Sequence, residues 1–240
     1  MKPDKALILA AGLGTRMMPL TEDRPKALVE VGGVALIDHM INRLKAVGVK
    51  QYIVNVHYFA DRLEAHLRQR TDVDIIISDE RDQLLETGGG LKKARPLLGE
   101  AAIWVANIDS LWQEPEGLDG QALESLAKLW DERRMKAALL LAVREGSIGF
   151  EGSGDFFMSP DGILSFRNQA PSAPYAYMGV HITKASIIDN EADAAFSLAR
   201  VWRQLAPQGL IYGQVMDGAW MHVGDPKARL EAERALSHGQ

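Results

Sequence analysis

Cysteine is absent from this chain of 240 residues. A disulfide framework, a thiolate zinc site and a cysteine nucleophile are therefore excluded. Long hydrophobic runs are lacking too: the apolar stretch near the start, residues 6–11, is much shorter than a membrane-spanning helix and leads directly into a glycine loop. The two absences predict a cytoplasmic protein that has no membrane partner.

An excess of positive charge is also missing. The chain carries 27 Lys and Arg residues against 32 Asp and Glu residues, a formal net charge of −5. Because duplex binding depends mainly on neutralising many phosphates, this balance argues against a nucleic-acid partner. Apolar residues make up 47% and charged residues 25%, which excludes a largely disordered chain, a collagen and a coiled coil.

Short apolar runs alternate with helical patterns through the first half of the chain. Buried strands are predicted at 6–10, 52–56, 74–77 and 103–106, and helices between them at 36–47, 61–70 and 91–98. Alternation of strand and helix predicts an α/β fold with a Rossmann-like, mostly parallel sheet flanked by helices.

The pattern changes after residue 118. A helix is predicted from 121 to about 134 and a strand at 137–143, followed by a turn-rich region with short antiparallel strands at 156–158, 163–166 and 175–182. A helix at 196–206, strands at 211–215 and 220–223, and a final helix beginning at Asp225-Pro226 complete the chain. No repeat or linker divides it, so a single domain over 1–240 is expected.

A glycine loop with basic residues is the most distinctive motif. Residues 9–16 read LAAGLGTR and begin where the first predicted strand ends, the place at which open α/β sheets bind ligands. Gly12 and Gly14 allow backbone N–H groups to face an anion, while Arg16 and Lys26 offer a forked donor and a point charge. Met17 and the absence of Gly-Lys-Ser/Thr exclude the dinucleotide-binding and P-loop motifs. The alternative is a tight turn after a strand.

The ordered motif resembles the signature of the sugar-1-phosphate nucleotidylyltransferases, a strand followed by A-A-G-x-G-T-R, a short spacer and P-K. Further segments of that family occur in order along the chain: Glu86-Thr87-Gly88-Gly89-Gly90, Asn107-Ile108-Asp109, Gly154-Asp155-Phe156, Tyr177-Met178-Gly179 and Trp220-Met221-His222-Val223-Gly224. Within the family, the sequence is most similar to the N-acetylmuramate-1-phosphate uridylyltransferases of bacterial cell-wall recycling. Short mannose-1-phosphate guanylyltransferases are also similar.

The resemblance implies a reaction between two anions. An oxygen of a sugar-1-phosphate attacks the α-phosphorus of a nucleoside triphosphate, which releases pyrophosphate and forms a nucleotide sugar. The nucleophile is a phosphate monoester with a second pKa near ~6, so it is largely deprotonated at neutral pH and needs no general base. The protein has to position the two substrates and offset their charge.

The resemblance also implies the site residues. Arg16 and Lys26 are expected to be catalytic. The nucleotide is expected on Ala10, Ala11, Gly12, Gly14, Thr15, Arg16, Lys26, Glu86, Gly88 and Asn107, and the sugar on Thr87, Gly89, Asp155 and Gly179. The segment 86–90 is expected to precede a helix and to turn its N–H groups to a ligand. Ordinary turn roles for Asp155 and a strand bulge at Gly179 are the alternatives.

A metal site is expected at Asp109, because a carboxylate after a strand suits Mg²⁺; its alternative is a turn residue. Many family members supply a second carboxylate from a late W-x-D-x-G segment, but this chain has His222 at that point. Mg²⁺ binds nitrogen poorly, whereas Mn²⁺ or Co²⁺ accepts it more readily. His222 is therefore either a metal ligand or a strand histidine bonded to a neighbour or a substrate phosphate.

The leading hypothesis is a Mg²⁺-dependent enzyme that makes UDP-N-acetylmuramic acid from a nucleoside triphosphate and a sugar-1-phosphate, acting as a monomer or homodimer. Residues 1–118 are expected to bind mainly the nucleotide, 119–224 mainly the sugar, and 225–240 to form the C-terminal helix. Synthesis of GDP-mannose or another nucleotide sugar is the alternative within enzymes. A nucleotide-sugar-binding protein that has lost turnover through the change at His222 is the alternative from another class.

Overall fold

A computed structural model of the chain describes residues 2–192 and 194–238. The helices within those residues are α1 Leu36–Ala46, α2 Ala60–Leu67, α3 Glu86–Leu98, α4 Gln121–Leu129, α5 Leu198–Leu205 and α6 Pro226–His238. The strands are β1 Lys5–Leu9, β2 Glu30–Val31, β3 Val34–Ala35, β4 Gln51–Val56, β5 Asp74–Asp79, β6 Ala102–Asn107, β7 Ser110–Gln113, β8 Ala137–Val143, β9 Phe156–Met158, β10 Leu164–Phe166, β11 Tyr175–Lys184, β12 Ile211–Val215 and β13 Ala219–His222. None of the described helices is long and apolar enough to cross a membrane.

One large sheet runs through the molecule in the order β10-β9-β11-β6-β1-β4-β5, with β8 beside β11 and β12 beside β8. The four strands β6, β1, β4 and β5 are parallel, as the alternation of strands and helices predicted. β11 runs antiparallel to β6 and β8, and β9 and β10 form an antiparallel pair. The predicted fold, a mostly parallel sheet with a smaller antiparallel part, is confirmed.

Both faces of the sheet are covered, which explains why its parallel strands are apolar throughout. Along β1, Ala6 and Ile8 belong to the core that packs under α1, α2 and α4. Leu7, between them, belongs to the core under α3 and α5. This alternation follows from the two-residue period of a strand.

Helix α3 begins earlier than expected: the glycine run lies inside it and does not precede it. Packing gives the reason. A Cβ on Gly88 would lie 2.2 Å from a ring carbon of Phe196, and one on Gly90 would lie 2.9 Å from side-chain atoms of both Asn55 and Glu80. The glycines therefore allow close approach of neighbouring elements, and tertiary contact outweighs their low helix propensity.

Helix α4 ends at Leu129, not near residue 134. The side chain of Asp131 accepts a hydrogen bond from the Arg133 N–H, and its carbonyl accepts from Arg134 and Met135. This local turn competes with helical hydrogen bonding. Two further features were not predicted, the β2–β3 hairpin and the strand β7, because each is too short to show a pattern.

The C-terminal helix starts as predicted. Asp225 Oδ1 accepts a hydrogen bond from the Ala228 N–H at 2.8 Å, and Pro226 is the first helical residue. The last two positions of the predicted 225–240 segment, Gly239 and Gln240, lie outside the described residues. The helix packs against β13 and β2.

Candidate nucleotidyl transfer site

A cavity of about 320 Å³ opens where β1, β4 and β6 end. Parallel pairing brings these carboxyl ends to one edge of the sheet, as expected for a ligand crevice. Of the predicted residues, the cavity is lined by Ala10, Ala11, Gly12, Gly14, Thr15, Arg16, Lys26, Glu86, Thr87, Asn107 and Asp109. Segments as far apart in sequence as 10–16 and 107–109 therefore border the same space.

The glycine loop is shaped by one left-handed residue. Gly14 has φ +64°, and a Cβ there would lie 3.0 Å from the Cβ of Lys26. The hydroxyl of Thr21 donates to the carbonyl of Gly14 at 3.0 Å, and buried Met17 anchors the short helical turn that follows. Gly12 faces open space, so the loop leaves room for a ligand at its tip.

Lys26 and Asp109 form an ion pair inside the cavity, with Lys26 Nζ 2.7 Å from Asp109 Oδ2. The two side chains are only 11% and 21% exposed. Burial opposes ionisation of Asp109, but the charge of Lys26 and the nearby His222 imidazole outweigh it and hold the pKa of the carboxyl well below its usual value. Asp109 is therefore ionised at neutral pH.

His222 reaches the same carboxylate from the end of the chain. Strand β13 pairs with β7 so that His222 lies opposite Ser110, and the Val223 N–H donates to the carbonyl of Asp109 at 2.8 Å. His222 Nε2 lies 3.6 Å from Asp109 Oδ2, while Nδ1 lies 3.4 Å from the carbonyl oxygen of Gly149. Among the described residues, no group of three or more His, Asp or Glu side chains gathers as a metal site.

Arg16 extends toward this ion pair from the glycine loop. A Cβ on Gly224 would lie 3.4 Å from Arg16 Nη1 and 2.9 Å from His222 Cε1. Gly224 thus leaves room for the Arg16 guanidinium and the His222 imidazole beside it. Lys26 and His222 lie beside the Asp109 carboxylate, and Arg16 lines the same cavity. Basic side chains at such a cavity suit polyanionic ligands.

The segment 86–90 only partly follows the prediction. The exposed side chain of Glu86 and that of Thr87 line the cavity. The N–H groups of Gly88 and Gly89, however, donate to the Phe196 carbonyl at 2.7 and 3.2 Å. The expectation that they face a ligand is wrong, because they hold α3 against the segment before α5.

Asp155 and Gly179 do not line this cavity. Asp155 accepts a hydrogen bond from the Tyr177 N–H at 2.9 Å and lines a second cavity of about 190 Å³. Gly179 has φ +83° at an irregularity of β11, and a Cβ there would lie 3.0 Å from the Cβ of Asn107. Gly179 therefore makes room for a wall residue of the first cavity and does not itself line it.

The second cavity has Tyr177 in its wall. It is lined by Gly154, Asp155, Phe156, Phe166, Arg167, Asn168, Tyr177, Ala199, Trp202 and Arg203. Burial raises the pKa of the Tyr177 hydroxyl, and the negative charge of Asp109 adds to the rise.

Six further residues line the first cavity without having been predicted as site residues: Leu9, Asn55, Glu80, Leu84, Ile108 and Gly224. Asn55 had a detectable signal, since it is a polar residue within the apolar run of β4. Glu80 had none, because a glutamate just after a strand usually lies at the surface.

Comparison with known proteins agrees with this geometry. Residues 5–140 match the family model described as nucleotidyl transferase. The chain belongs to the nucleotidyl transferase family. It is 53% identical over 239 residues to the N-acetylmuramate alpha-1-phosphate uridylyltransferase of Caulobacter vibrioides, which covers 98% of each chain. The predicted family is thereby confirmed.

Two other similarities are more distant. The mannose-1-phosphate guanylyltransferase catalytic subunit beta of Danio rerio is 27% identical over 93% of this nucleotidyl transferase and 62% of its own length. The inositol-1-phosphate CTP transferase from T. maritima superposes with a TM-score of 0.78 at 17% identity, over 100% of this chain and 98% of that chain. The structural similarity to the CTP transferase supports the fold described above.

Replacing Lys26 with alanine removes the buried ammonium from the cavity. We expect kcat/KM for nucleotidyl transfer, measured as pyrophosphate release, to fall by about 10²–10³-fold, the usual cost of losing one preorganised charge donor. Lys227→Ala is the matched control, because Lys227 is 76% exposed on α6 and does not line the cavity. Unchanged turnover by Lys26→Ala would contradict the role of this residue.

Proposed function

We propose that this nucleotidyl transferase couples UTP to N-acetylmuramate-1-phosphate and releases UDP-N-acetylmuramic acid and pyrophosphate. The observation that carries the proposal is the 53% identity to an enzyme named for this reaction, along nearly the whole of both chains. The product is the activated form of a cell-wall sugar, so a role in peptidoglycan recycling in the cytoplasm follows from the same proposal.

The residues of the first cavity can support this transfer. A phosphate oxygen of N-acetylmuramate-1-phosphate forms a bond to the α-phosphorus of UTP, and the bond from the α-phosphorus to the bridging oxygen of the β-phosphate breaks. Pyrophosphate leaves with that electron pair, and no proton has to move because the attacking oxygen is already ionised. The burden on the protein is therefore to align two anions and to offset their charge.

Lys26 and Arg16 would align the two anions and offset their charge. The Lys26 ammonium is held by Asp109 at 2.7 Å, so it is fixed before a ligand arrives and needs no reorganisation. Arg16 lines the same cavity at the end of the glycine loop and can hold phosphate oxygens of the leaving pyrophosphate in a forked geometry.

A divalent cation fits the residues at the edge of this cavity. Asp109 is ionised, and His222 Nε2 lies 3.6 Å from its Oδ2, so the protein offers two ligands and the phosphate oxygens and water would supply the others. Bound there, a cation would neutralise phosphate charge. An imidazole in the ligand set favours Mn²⁺ or Co²⁺ over Mg²⁺.

The second cavity is our candidate for the sugar. Asp155 and Tyr177 line it with polar groups, and Arg203 on α5 borders it with its guanidinium 4.3 Å from the ring centre of Phe166. Arg203 has no carboxylate partner among residues 2–192 and 194–238. N-acetylmuramate carries a lactyl carboxylate that mannose and N-acetylglucosamine lack, so a carboxylate on the sugar would pair with Arg203.

The substrate proposal is tested by pyrophosphate release with N-acetylmuramate-1-phosphate and each of UTP, GTP, CTP and dTTP, with Mg²⁺ and again with Mn²⁺. We expect turnover with UTP alone. Activity only with GTP and mannose-1-phosphate would replace the proposal with the guanylyltransferase. Nucleotide binding without turnover in any well would instead favour a binding protein.

His222→Asp tests the metal ligands. The substitution replaces a nitrogen ligand with a carboxylate oxygen, the ligand type that Mg²⁺ prefers, so the ratio of Mg²⁺- to Mn²⁺-supported activity is expected to rise by about tenfold or more. His66→Gln is the control for nonspecific effects, because His66 pairs with Asp38 and lines neither cavity. An unaltered metal ratio in His222→Asp would count against direct ligation.

Arg203→Gln tests the carboxylate pairing. We expect kcat/KM for N-acetylmuramate-1-phosphate to fall by about 10–100-fold, the cost of a lost hydrogen bond to a charged group, with little change for N-acetylglucosamine-1-phosphate. Arg200→Gln is the matched control, because Arg200 lies on the same helix but stacks on Phe196 and pairs with Glu191. An equal fall for both sugars would remove Arg203 from substrate selection.

A further inference from the structure

Two buried polar side chains lie beneath the glycine loop and have no part in the transfer described above. Asn55 is 2% exposed near the end of β4, and Glu80 is fully buried directly after β5. Both line the first cavity. Burying an amide and a carboxylate is costly unless their hydrogen bonds are made, so their partners indicate what they do.

The side-chain amide of Asn55 makes hydrogen bonds through both its oxygen and its nitrogen. Its Oδ1 accepts hydrogen bonds from the N–H groups of Ala10 and Ala11 at 2.6 and 3.1 Å, and its Nδ2 donates to Glu80 Oε1 at 2.8 Å. Oε2 of Glu80 accepts from the Leu85 N–H at 3.4 Å. One chain of contacts therefore joins the start of the glycine loop to the segment that leads into α3.

Only an amide fits between these neighbours. The two backbone N–H groups require an acceptor, and the carboxylate of Glu80 requires a donor, which assigns the orientation of the Asn55 amide. Gly90 supplies the space, since a Cβ there would lie 2.9 Å from Asn55 Nδ2 and 2.9 Å from Glu80 Oε1. An aspartate at residue 55 would keep the acceptor but set two carboxylates against each other.

The contacts fix the point at which the chain leaves β1. Ala10 and Ala11 direct their N–H groups into the protein toward Asn55, and the residues that line the cavity directly after them are Gly12, Gly14 and Thr15. We propose that Asn55 and Glu80 are positioning residues that hold the glycine loop in the conformation that receives the nucleoside triphosphate. The inference rests on the proposed function for the identity of that ligand.

The test compares steady-state kinetics of the full chain, with UTP and N-acetylmuramate-1-phosphate varied separately. Asn55→Asp is expected to raise KM for UTP by about tenfold or more, because the substitution removes the amide donor between residue 55 and the buried carboxylate of Glu80. KM for the sugar phosphate is expected to stay within about twofold. Asn190→Asp, at an exposed turn residue, is the matched control and should change neither constant.

A double variant distinguishes positioning from general damage. In Asn55→Asp combined with Glu80→Gln, the amide and the carboxylate exchange places, so the new amide at residue 80 can donate to residue 55 while the new carboxylate still accepts from the loop. KM for UTP is expected to return to within about threefold of the unchanged chain. Failure of this recovery in a folded double variant, or equal rises in both KM values for Asn55→Asp, would overturn the proposal.

Two further measurements keep the test decisive. If Asn55→Asp does not fold, Glu80→Met removes the acceptor of Asn55 Nδ2 and should raise KM for UTP by about fivefold; an unchanged KM would overturn the proposal. If the unchanged chain prefers another substrate pair, the same variants are measured with that pair, and a selective loss there sustains the positioning role although the substrate proposal has failed. With no turnover at all, calorimetric Kd values for UTP replace KM.

Discussion

The ion pair between Lys26 and Asp109 is the contact on which the site depends. It ties the segment after the glycine loop to the edge of the sheet where β6 ends, at 2.7 Å and largely shielded from water. Because the removal of one partner would leave an uncompensated charge, both side chains hold each other in place. The Lys26 ammonium is therefore a fixed positive charge in the cavity, in which our proposal puts two phosphate-bearing ligands that would otherwise repel one another.

Parallel strands supply the rest of the geometry. Since β1, β4 and β6 run in the same direction, the glycine loop, Asn55 and Asn107 all emerge at one edge, although 97 residues separate Ala10 from Asn107 in sequence. Gly14 adopts its left-handed conformation at no steric cost, and Gly12 leaves its face open, so the tip of the loop borders open space. The backbone of the glycine loop and the charged side chains of Lys26 and Asp109 therefore border the same cavity.

Sequence reasoning identified the parts of this arrangement that are local. The four parallel strands were predicted to within two residues, because strands buried on both faces are apolar without interruption. The loop and Lys26 were singled out as a glycine pair followed by basic residues, and Asp109 through the family resemblance; the structure places all three at one cavity. The start of α3 was missed, since it depends on the packing of Gly88 against Phe196, more than a hundred residues later. Glu80 was missed because its hydrogen bond with Asn55 is visible only in the structure. Asn55 carried a signal, a polar residue within an apolar strand, but the sequence does not show its partners.

The pairing of His222 with Asp109 is another contact that could not be predicted from the sequence. The proximity of His222 to Asp109 depends on the register between β7 and β13. Two hydrogen bonds fix this register: the Val223 N–H donates to the carbonyl of Asp109 at 2.8 Å, and Trp220 Nε1 donates to Ser110 Oγ at 2.8 Å. A shift of one residue would turn His222 to the opposite face of the ribbon. Because these contacts use the backbone and Trp220, they do not depend on which side chain occupies residue 222. The charge beside Asp109 can therefore differ between family members while the strand pairing is retained.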